Sequence, residues 1–342
     1  LTSIPSMVPI LIDIPAGNLV QRSGEKITIF LGFLAAVFPP ILFYIGLVPF
    51  FFAGKIMEGV GKAMIWNGGW SLTLKSSDDG VESESVSVFL LGINLSIVIG
   101  PVIGGFLLSG YGFNLLFGLW TVCWLFSIVL YYFYIGTERE NGSLKQSLKD
   151  LEKRRTYVND WNHLKENWVN LRQVFTLVFL YSIIFSFYWL AIPLMLDQMN
   201  ADFSTMGIIF GIAALPKVFQ FVFGDIADRI GNEKTISILT LLLIPTLFAM
   251  SLTESLLITG ALFFLARIFS SGMSPAIHSK FDAATPDEVE GEMTGFNELF
   301  KHMVQAVGPL FAGTIASIWS LNVSFIAASG VAGLILIFSL FD

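Results

Sequence analysis

Gly224-Asp225-Ile226-Ala227-Asp228-Arg229-Ile230-Gly231-Asn232-Glu233-Lys234 closes one apolar segment of this chain, and Gly17-Asn18-Leu19-Val20-Gln21-Arg22-Ser23-Gly24-Glu25-Lys26 closes another. Both stretches share a skeleton of Gly, Arg five residues on, Gly seven on, then Lys. A second pair follows at nearly equal distance. Gly100-Pro101-Val102-Ile103-Gly104-Gly105 begins 83 residues after Gly17, and Gly308-Pro309-Leu310-Phe311-Ala312-Gly313 begins 84 after Gly224. Two motifs in one order at one spacing mark a tandem duplication with a period of 207 to 208 residues.

Composition places the duplicated unit in a membrane. Hydrophobic residues make up 54% of the 342 and charged residues 13%, against roughly 25% charged in soluble domains. Mean hydropathy is +0.74, and no soluble core could bury so much apolar surface. Eleven segments are apolar and long enough to cross a bilayer as helices: 4–20, 27–46, 48–73, 87–109, 112–135, 173–196, 204–223, 236–253, 255–278, 295–318 and 320–341. Parallel repeats of such helices are the pattern of transporters. Of the 19 Lys and Arg, 14 lie in or beside alternate loops, among them Arg22, Lys26, Lys75, the run from Arg139 to Arg172, Arg229, Lys234 and Lys280. The opposite loops carry Asp197, Asp202 and Glu254. The positive-inside rule therefore puts both Gly/Arg/Lys turns and the long central loop in the cytoplasm, most simply of a plasma membrane. The sequence pI of 5.0 does not oppose this, since the rule counts Lys and Arg.

Shifted back by one period, the span at 173–196 falls before Leu1, so the duplication expects a first helix that the chain lacks. A fragment and a naturally shortened protein would read alike. Residues 1–20 have no basic start and run straight into the repeat motif, which argues against a cleavable signal peptide. A lone Cys123 inside a span leaves no disulfide within the chain.

The turn from Gly224 to Lys234 resembles the signature loop of the major facilitator superfamily, and Gly17 to Lys26 resembles its weaker N-terminal copy. The resemblance implies an all-α polytopic fold of two pseudo-symmetric helix bundles around a central cavity, with this chain matching family helices two to twelve. The halves then fall at 1–135 and 173–342, joined by a linker at 136–172. It also implies a conformational latch at Gly17, Arg22, Gly24, Lys26, Gly224, Asp228, Arg229, Gly231 and Lys234. Gln21 stands where the family pattern expects an acid, which weakens the N-terminal latch. Glycine at a helix end lets helices approach and the chain reverse, while Arg and Lys can pair with carboxylates or helix C-termini. The same residues read equally as topogenic charges and tight turns.

Gly92, Gly100, Pro101, Gly104 and Gly105 resemble the motif of the superfamily's antiporters, above all drug and metabolite exporters, with Gly308, Pro309 and Gly313 as the C-terminal copy. Proline removes a backbone hydrogen bond and glycine permits close approach, so this helix should be kinked and tightly packed. Packing alone would also account for the glycines.

Ionisable residues inside spans are functional candidates because lipid makes them expensive. Lys55, Glu58 and Lys62 share a helix face, where Glu58 can neutralise either lysine. By the family resemblance Lys55 takes the place of a basic residue linked to proton transfer, and Arg267 is its approximate counterpart. Asp13, one turn before Gly17, is the acid best placed to load and release a proton if withdrawn from water, or else to pair with a base such as Lys301. Lys217 and His302, the repeat counterpart of Asn94, are further candidates. Trp66, Asn67, Trp70, Asn94, Tyr181, Tyr188, Trp189, Lys217 and Gln220 would line a cavity suited to amphipathic compounds or, by cation-π attraction, organic cations. Bases inside spans (Lys55, Lys62, Lys217, Arg267, Lys301) outnumber acids (Asp13, Glu58, Glu298), which favours an organic anion if they face that cavity.

The linker carries Leu144, Leu148, Leu151, Val158, Trp161, Leu164, Trp168 and Leu171 at steps of three and four with one skipped turn, as in an amphipathic helix on a membrane surface. Ser143 with Gln146 makes a capping box for its start. No polybasic patch for nucleic acid is present, because acids balance the linker's bases. A Walker-type loop and a paired-His metal motif are absent, and His163, His278 and His302 lack ligand spacing, so neither an enzyme nor a metal or cofactor is expected. The sequence thus reads as a secondary transporter, monomeric, most like a proton-coupled exporter of drugs or small metabolites. Proton-coupled uptake of a nutrient or organic anion stands beside it, as does a transporter-like sensor that no longer transports.

Overall fold

The computed structural model describes residues 3–76, 82–135, 156–286 and 290–340. Among these residues every regular element is a helix, as expected. The helices are α1 (Ile4–Ser23), α2 (Glu25–Ile45), α3 (Val48–Lys75), α4 (Glu82–Tyr134), α5 (Thr156–Gln198), α6 (Phe203–Val218), α7 (Gln220–Ile230), α8 (Asn232–Met250), α9 (Leu256–Ala284), α10 (Glu290–Ile318) and α11 (Leu321–Leu340).

Three elements differ from the sequence reading. The spans expected at 87–109 and 112–135 form one unbroken run, α4, interrupted only at Gly112 with φ 77° and ψ 179°. At 1.5 Å per residue this run is far longer than a hydrocarbon core of about 30 Å, so Gly112 joins two membrane-length helices with no loop residue between them. The span expected at 204–223 is broken at Phe219 into α6 and α7, bent by 42°. Pro216, three residues earlier, removes an intrahelical hydrogen bond there. The span expected from 173 begins at Thr156, so the end of the amphipathic stretch and the membrane helix are one element. The Ser143–Gln146 capping box lies outside the described residues.

Among the described residues six helices are long and apolar enough to cross a membrane, or seven if α6 and α7 count as one broken span. The three that fall short are α1, α3 and α10. They carry Asp13, the Lys55, Glu58 and Lys62 run, and Glu298 with Lys301.

The chain divides into two compact units, Leu1–Ile93 with Gly110–Thr156, and Asn94–Ser109 with Tyr157–Asp342. Each repeats one arrangement. In the first, α3 packs on α1 and α2; in the second, α9 packs on α6, α7 and α8. The turns that link them are also paired. Gly24 (φ 88°) and Gly231 (φ 96°) take the left-handed backbone that reverses the chain. Thr28 and Thr235 donate to the carbonyls of these glycines at 3.0 and 2.9 Å. Gly17 and Gly224, expected at the helix ends, lie inside α1 and α7 instead. An added Cβ at Gly17 meets nothing within 4 Å, and at Gly224 only Pro275 at 3.9 Å.

Close approach occurs at other glycines. In the second unit, a Cβ on Gly105 would lie 2.3 Å from the Phe203 carbonyl oxygen, and one on Gly207 2.3 Å from that of Pro101. Gly211, one turn on, meets Val98 and Val102, so Gly207-Ile208-Ile209-Phe210-Gly211 is a GxxxG face docked on the Pro101–Gly105 stretch of α4. Gly92, Gly100 and Gly104 of the expected motif have nothing within 4 Å. In the C-terminal copy Gly308 sits tightly on Ser186 of α5.

At the start of α6 the Ser204 and Thr205 hydroxyls both donate to Asp202, and these bonds hold its carboxyl down to about 2.

A Cβ at Gly207 has only backbone in its way. Gly207→Ala is expected to cost about 1–3 kcal/mol through overpacking and to lower the melting temperature of the purified protein by several degrees. Gly104→Ala, with open space around it, should leave melting unchanged or slightly raised.

Candidate functional site

The signature turns are fixed by an ion pair that occurs once in each repeat. Lys75 at the end of α3 reaches Glu25 at the start of α2 at 3.4 Å, and Lys280 in α9 reaches Glu233 at the start of α8, also at 3.4 Å. Glu25 is buried and accepts a further bond from Ser71 at 3.2 Å. Glu233 is half exposed, and its neighbour Asn232 donates to Ser279 at 3.0 Å. Sequence reasoning missed these acids. Their 208-residue separation, with the two lysines 205 apart, was the available signal.

Of the expected latch residues, Arg229 pairs with Asp225 at 2.8 Å rather than with Asp228. Residues four apart share a helix face, whereas adjacent ones diverge. Both partners are exposed, so the pair adds little stability. Asp228 and Lys234 are exposed and pair with no described residue. The Lys26 carbonyl accepts from the Tyr131 hydroxyl at 3.0 Å, which ties the first turn to the end of α4. The Arg22 side chain lies outside the described residues.

Among the intramembrane charges, two predicted groups of the first unit meet. Asn67 on α3 donates to Asp13 on α1 at 3.2 Å and to its own helix at the Ala63 carbonyl at 2.9 Å. Lys55 and Glu58 form the intrahelical pair expected of them at 2.8 Å, and Lys55 lies 5.4 Å from the centre of the Phe43 ring. Trp66 stacks on Trp70 at 6.0 Å, and both contact Phe89. Gly59 and Gly61, which flank this charged face, pack against Val8 of α1 and the Gly32–Ala36 backbone of α2.

In the second unit Lys301 pairs with Glu298 at 2.7 Å. Beside it lies a small pocket lined by Tyr181, Ser274, His278, Asn297 and Lys301. His302 and Lys217 are half-buried on α10 and α6, and Asn94 is half-buried on α4. Gln220 donates to the Ser271 carbonyl at 3.2 Å across the α6–α7 break. Tyr188, Trp189 and Arg267 come together around a larger cavity with Pro101, Phe210 and Phe263. Trp189 stacks on Phe210 at 6.2 Å, and Tyr188 meets Phe263 edge-on at 5.7 Å. Among the described residues no group of His, Cys, Asp or Glu could hold a metal ion.

A family model described as Major Facilitator Superfamily matches residues 1–216 and 174–342. An uncharacterized MFS-type transporter, YuxJ of Bacillus subtilis (strain 168), is 23% identical over 322 residues, covering 90% of this chain and 76% of that protein. Multidrug resistance protein MdtG of Klebsiella pneumoniae (strain 342) is 22% identical over 243 residues. That match covers 68% of the chain and 56% of MdtG, so the aligned region spans just over half of the relative. Among solved structures, a POT family transporter in complex with 5-aminolevulinic acid superposes with a TM-score of 0.76 at 14% identity, covering 99% of this chain and 85% of that one. At that identity the likeness is one of fold.

The two repeated ion pairs differ in burial, and their removal should show it. Lys75→Met leaves a buried carboxylate with Ser71 as its remaining described donor, an expected loss of about 1–2 kcal/mol. Lys280→Met leaves a half-exposed Glu233, an expected loss within about 1 kcal/mol. Thermal unfolding of both variants, with Lys75→Met/Glu25→Gln as the recovering double variant, checks the order.

Proposed function

Because the chain belongs to the major facilitator superfamily, we propose that it is a secondary active transporter that exchanges protons for small amphipathic compounds, moving them outward by alternating access. On this reading the signature turns and the central loop face the cytoplasm. The observation that carries the proton-coupled part is the Asp13–Asn67 contact: a half-buried carboxyl in an apolar helix, held by an amide. An amide N–H can donate to that oxygen whether the carboxyl is ionised or protonated, so the contact survives proton loading.

Two further observations support export. The Pro101–Gly105 part of the antiporter-like motif forms a backbone-tight seam against Gly207 and Gly211. Relatives named multidrug resistance protein MdtG align at 21 to 24% identity. The aromatic groups Trp66–Trp70–Phe89 and Tyr188–Trp189–Phe210–Phe263 suit flat, amphipathic cargo.

Reconstitution in liposomes with an imposed pH gradient tests the reading against a panel of lipophilic cations, organic anions and sugars. Counter-movement of protons and one panel compound is the expected result; co-directional movement would turn the reading to uptake. Asp13→Asn should abolish the pH-driven component and spare substrate–substrate exchange. An unchanged pH dependence would remove Asp13 as the proton carrier.

A further inference from the structure

The second unit carries a narrow pocket, open to solvent, walled mainly by Ile97, Pro101, Trp189, Phe210 and Phe263. Two polar side chains interrupt this apolar wall. Arg267 is 8% exposed and Tyr188 is 2% exposed, with no hydrogen-bond partner within 3.5 Å of its hydroxyl.

Arg267 differs from the other intramembrane charges in its surroundings. Lys55 has Glu58 and Lys301 has Glu298. Around Arg267, by contrast, no described carboxylate lies within 4.0 Å. Its Nε donates to the Ala213 carbonyl at 3.4 Å and its guanidinium carbon lies 5.5 Å from the centre of the Phe185 ring. The Nη donors make no hydrogen bond to a described residue. A lysine or carboxyl buried in this way could shed its charge, but a guanidinium keeps its proton at any physiological pH. A permanent charge out of water without a counter-charge is costly, and the cost is recovered when an anion arrives.

We propose that this cavity binds an aromatic monocarboxylate. The carboxylate takes the guanidinium fork of Arg267 in a two-bond contact, with the Tyr188 hydroxyl as an additional donor. The ring lies against Trp189, Phe210 and Phe263. This names the substrate class for the transport reading above and rests on it. It gives Arg267 a role in holding cargo.

Isothermal titration calorimetry of the purified protein with 2-naphthoate, 2-naphthamide and 2-naphthylmethylammonium tests the site. The carboxylate should bind about tenfold or more tightly than the amide or the ammonium. Arg267→Gln should remove that preference and leave amide binding within about threefold. Arg267→Lys should retain part of it, since the charge stays and the fork is lost. Tyr188→Phe should weaken naphthoate about three- to tenfold. Equal affinity for the three probes overturns the proposal, as does unchanged naphthoate affinity in Arg267→Gln. Should Arg267→Gln fail to fold in a thermal-unfolding control, unchanged naphthoate affinity in both Arg267→Lys and Tyr188→Phe overturns it. The same probes in liposomes separate this site from the transport reading. Arg267-dependent binding without movement keeps the site and removes transport, whereas movement with no Arg267-dependent preference for the anion does the reverse.

Discussion

Close backbone approach at glycine is the interaction on which the helix packing depends. Lipid tails are as apolar as leucine, so helices in a bilayer gain little by hiding apolar surface and must gain by proximity. Gly54, Gly61 and Gly68 recur every seven residues on α3 and meet Phe43, the Gly32–Ala36 backbone and Ile29 of α2. Gly105, Gly207 and Gly211 make a seam of the same kind between α4 and α6 in the second unit. Each such glycine costs about 1 kcal/mol in helix propensity, a cost offset only where a neighbour fills the space that a side chain would have taken. The hydroxyls along these helices follow from the same dryness. Thr73, Thr121, Ser186 and Thr246 each donate to the carbonyl four residues back, which satisfies them without a second helix.

Charge obeys a related constraint. A helix that carries an ion into an apolar bundle lowers the cost by carrying the counter-ion on the same face, as Lys55 with Glu58 and Lys301 with Glu298 do three residues apart. Where the pair spans two helices it also fixes their register, as Glu25–Lys75 and Glu233–Lys280 do beside the two turns. Turn and ion pair work together. Gly24 and Gly231 reverse the chain, and the lysine at the far end of the next helix but one holds the first residues after the reversal.

Much of this was legible from residue spacing. The duplication, the helical class, the positions of the turns and the Lys55–Glu58 pair follow from local periodicity and from residue types whose chemistry is tied to one backbone or one neighbour. Partner identity was less legible. Repetition of Gly17 and Gly224 in the sequence suggested contact, yet both look into open or nearly open space, because a repeat records ancestry rather than packing. Conversely Gly207-x-x-x-Gly211 was plain in the sequence and went unread, since a glycine face names a contact without naming the helix that makes it. Hydropathy is also blind to the side on which an aromatic falls. Tyr188 and Trp189 are adjacent and equally suited to a cavity, yet one is 2% and the other 51% exposed.

The two copies have diverged most in their interiors, and the divergence is chemical. The sequence reading pairs Arg267 approximately with Lys55, but the 205-residue offset that aligns Lys75 with Lys280 matches it with Lys62 instead, two turns from Lys55 on the same face. Both copies thus keep a cation on this helix, but with different consequences. In α3 a carboxyl four residues before Lys62 shares its face, and Asp13 of α1 meets the same helix at Asn67. In α9 the residue is a guanidinium that donates to the Ala213 carbonyl, with no described carboxylate within 4.0 Å. One ancestral helix packing has therefore come to hold its charge in two ways, with a carboxyl on the same face in α3 and with no described carboxylate within 4.0 Å in α9.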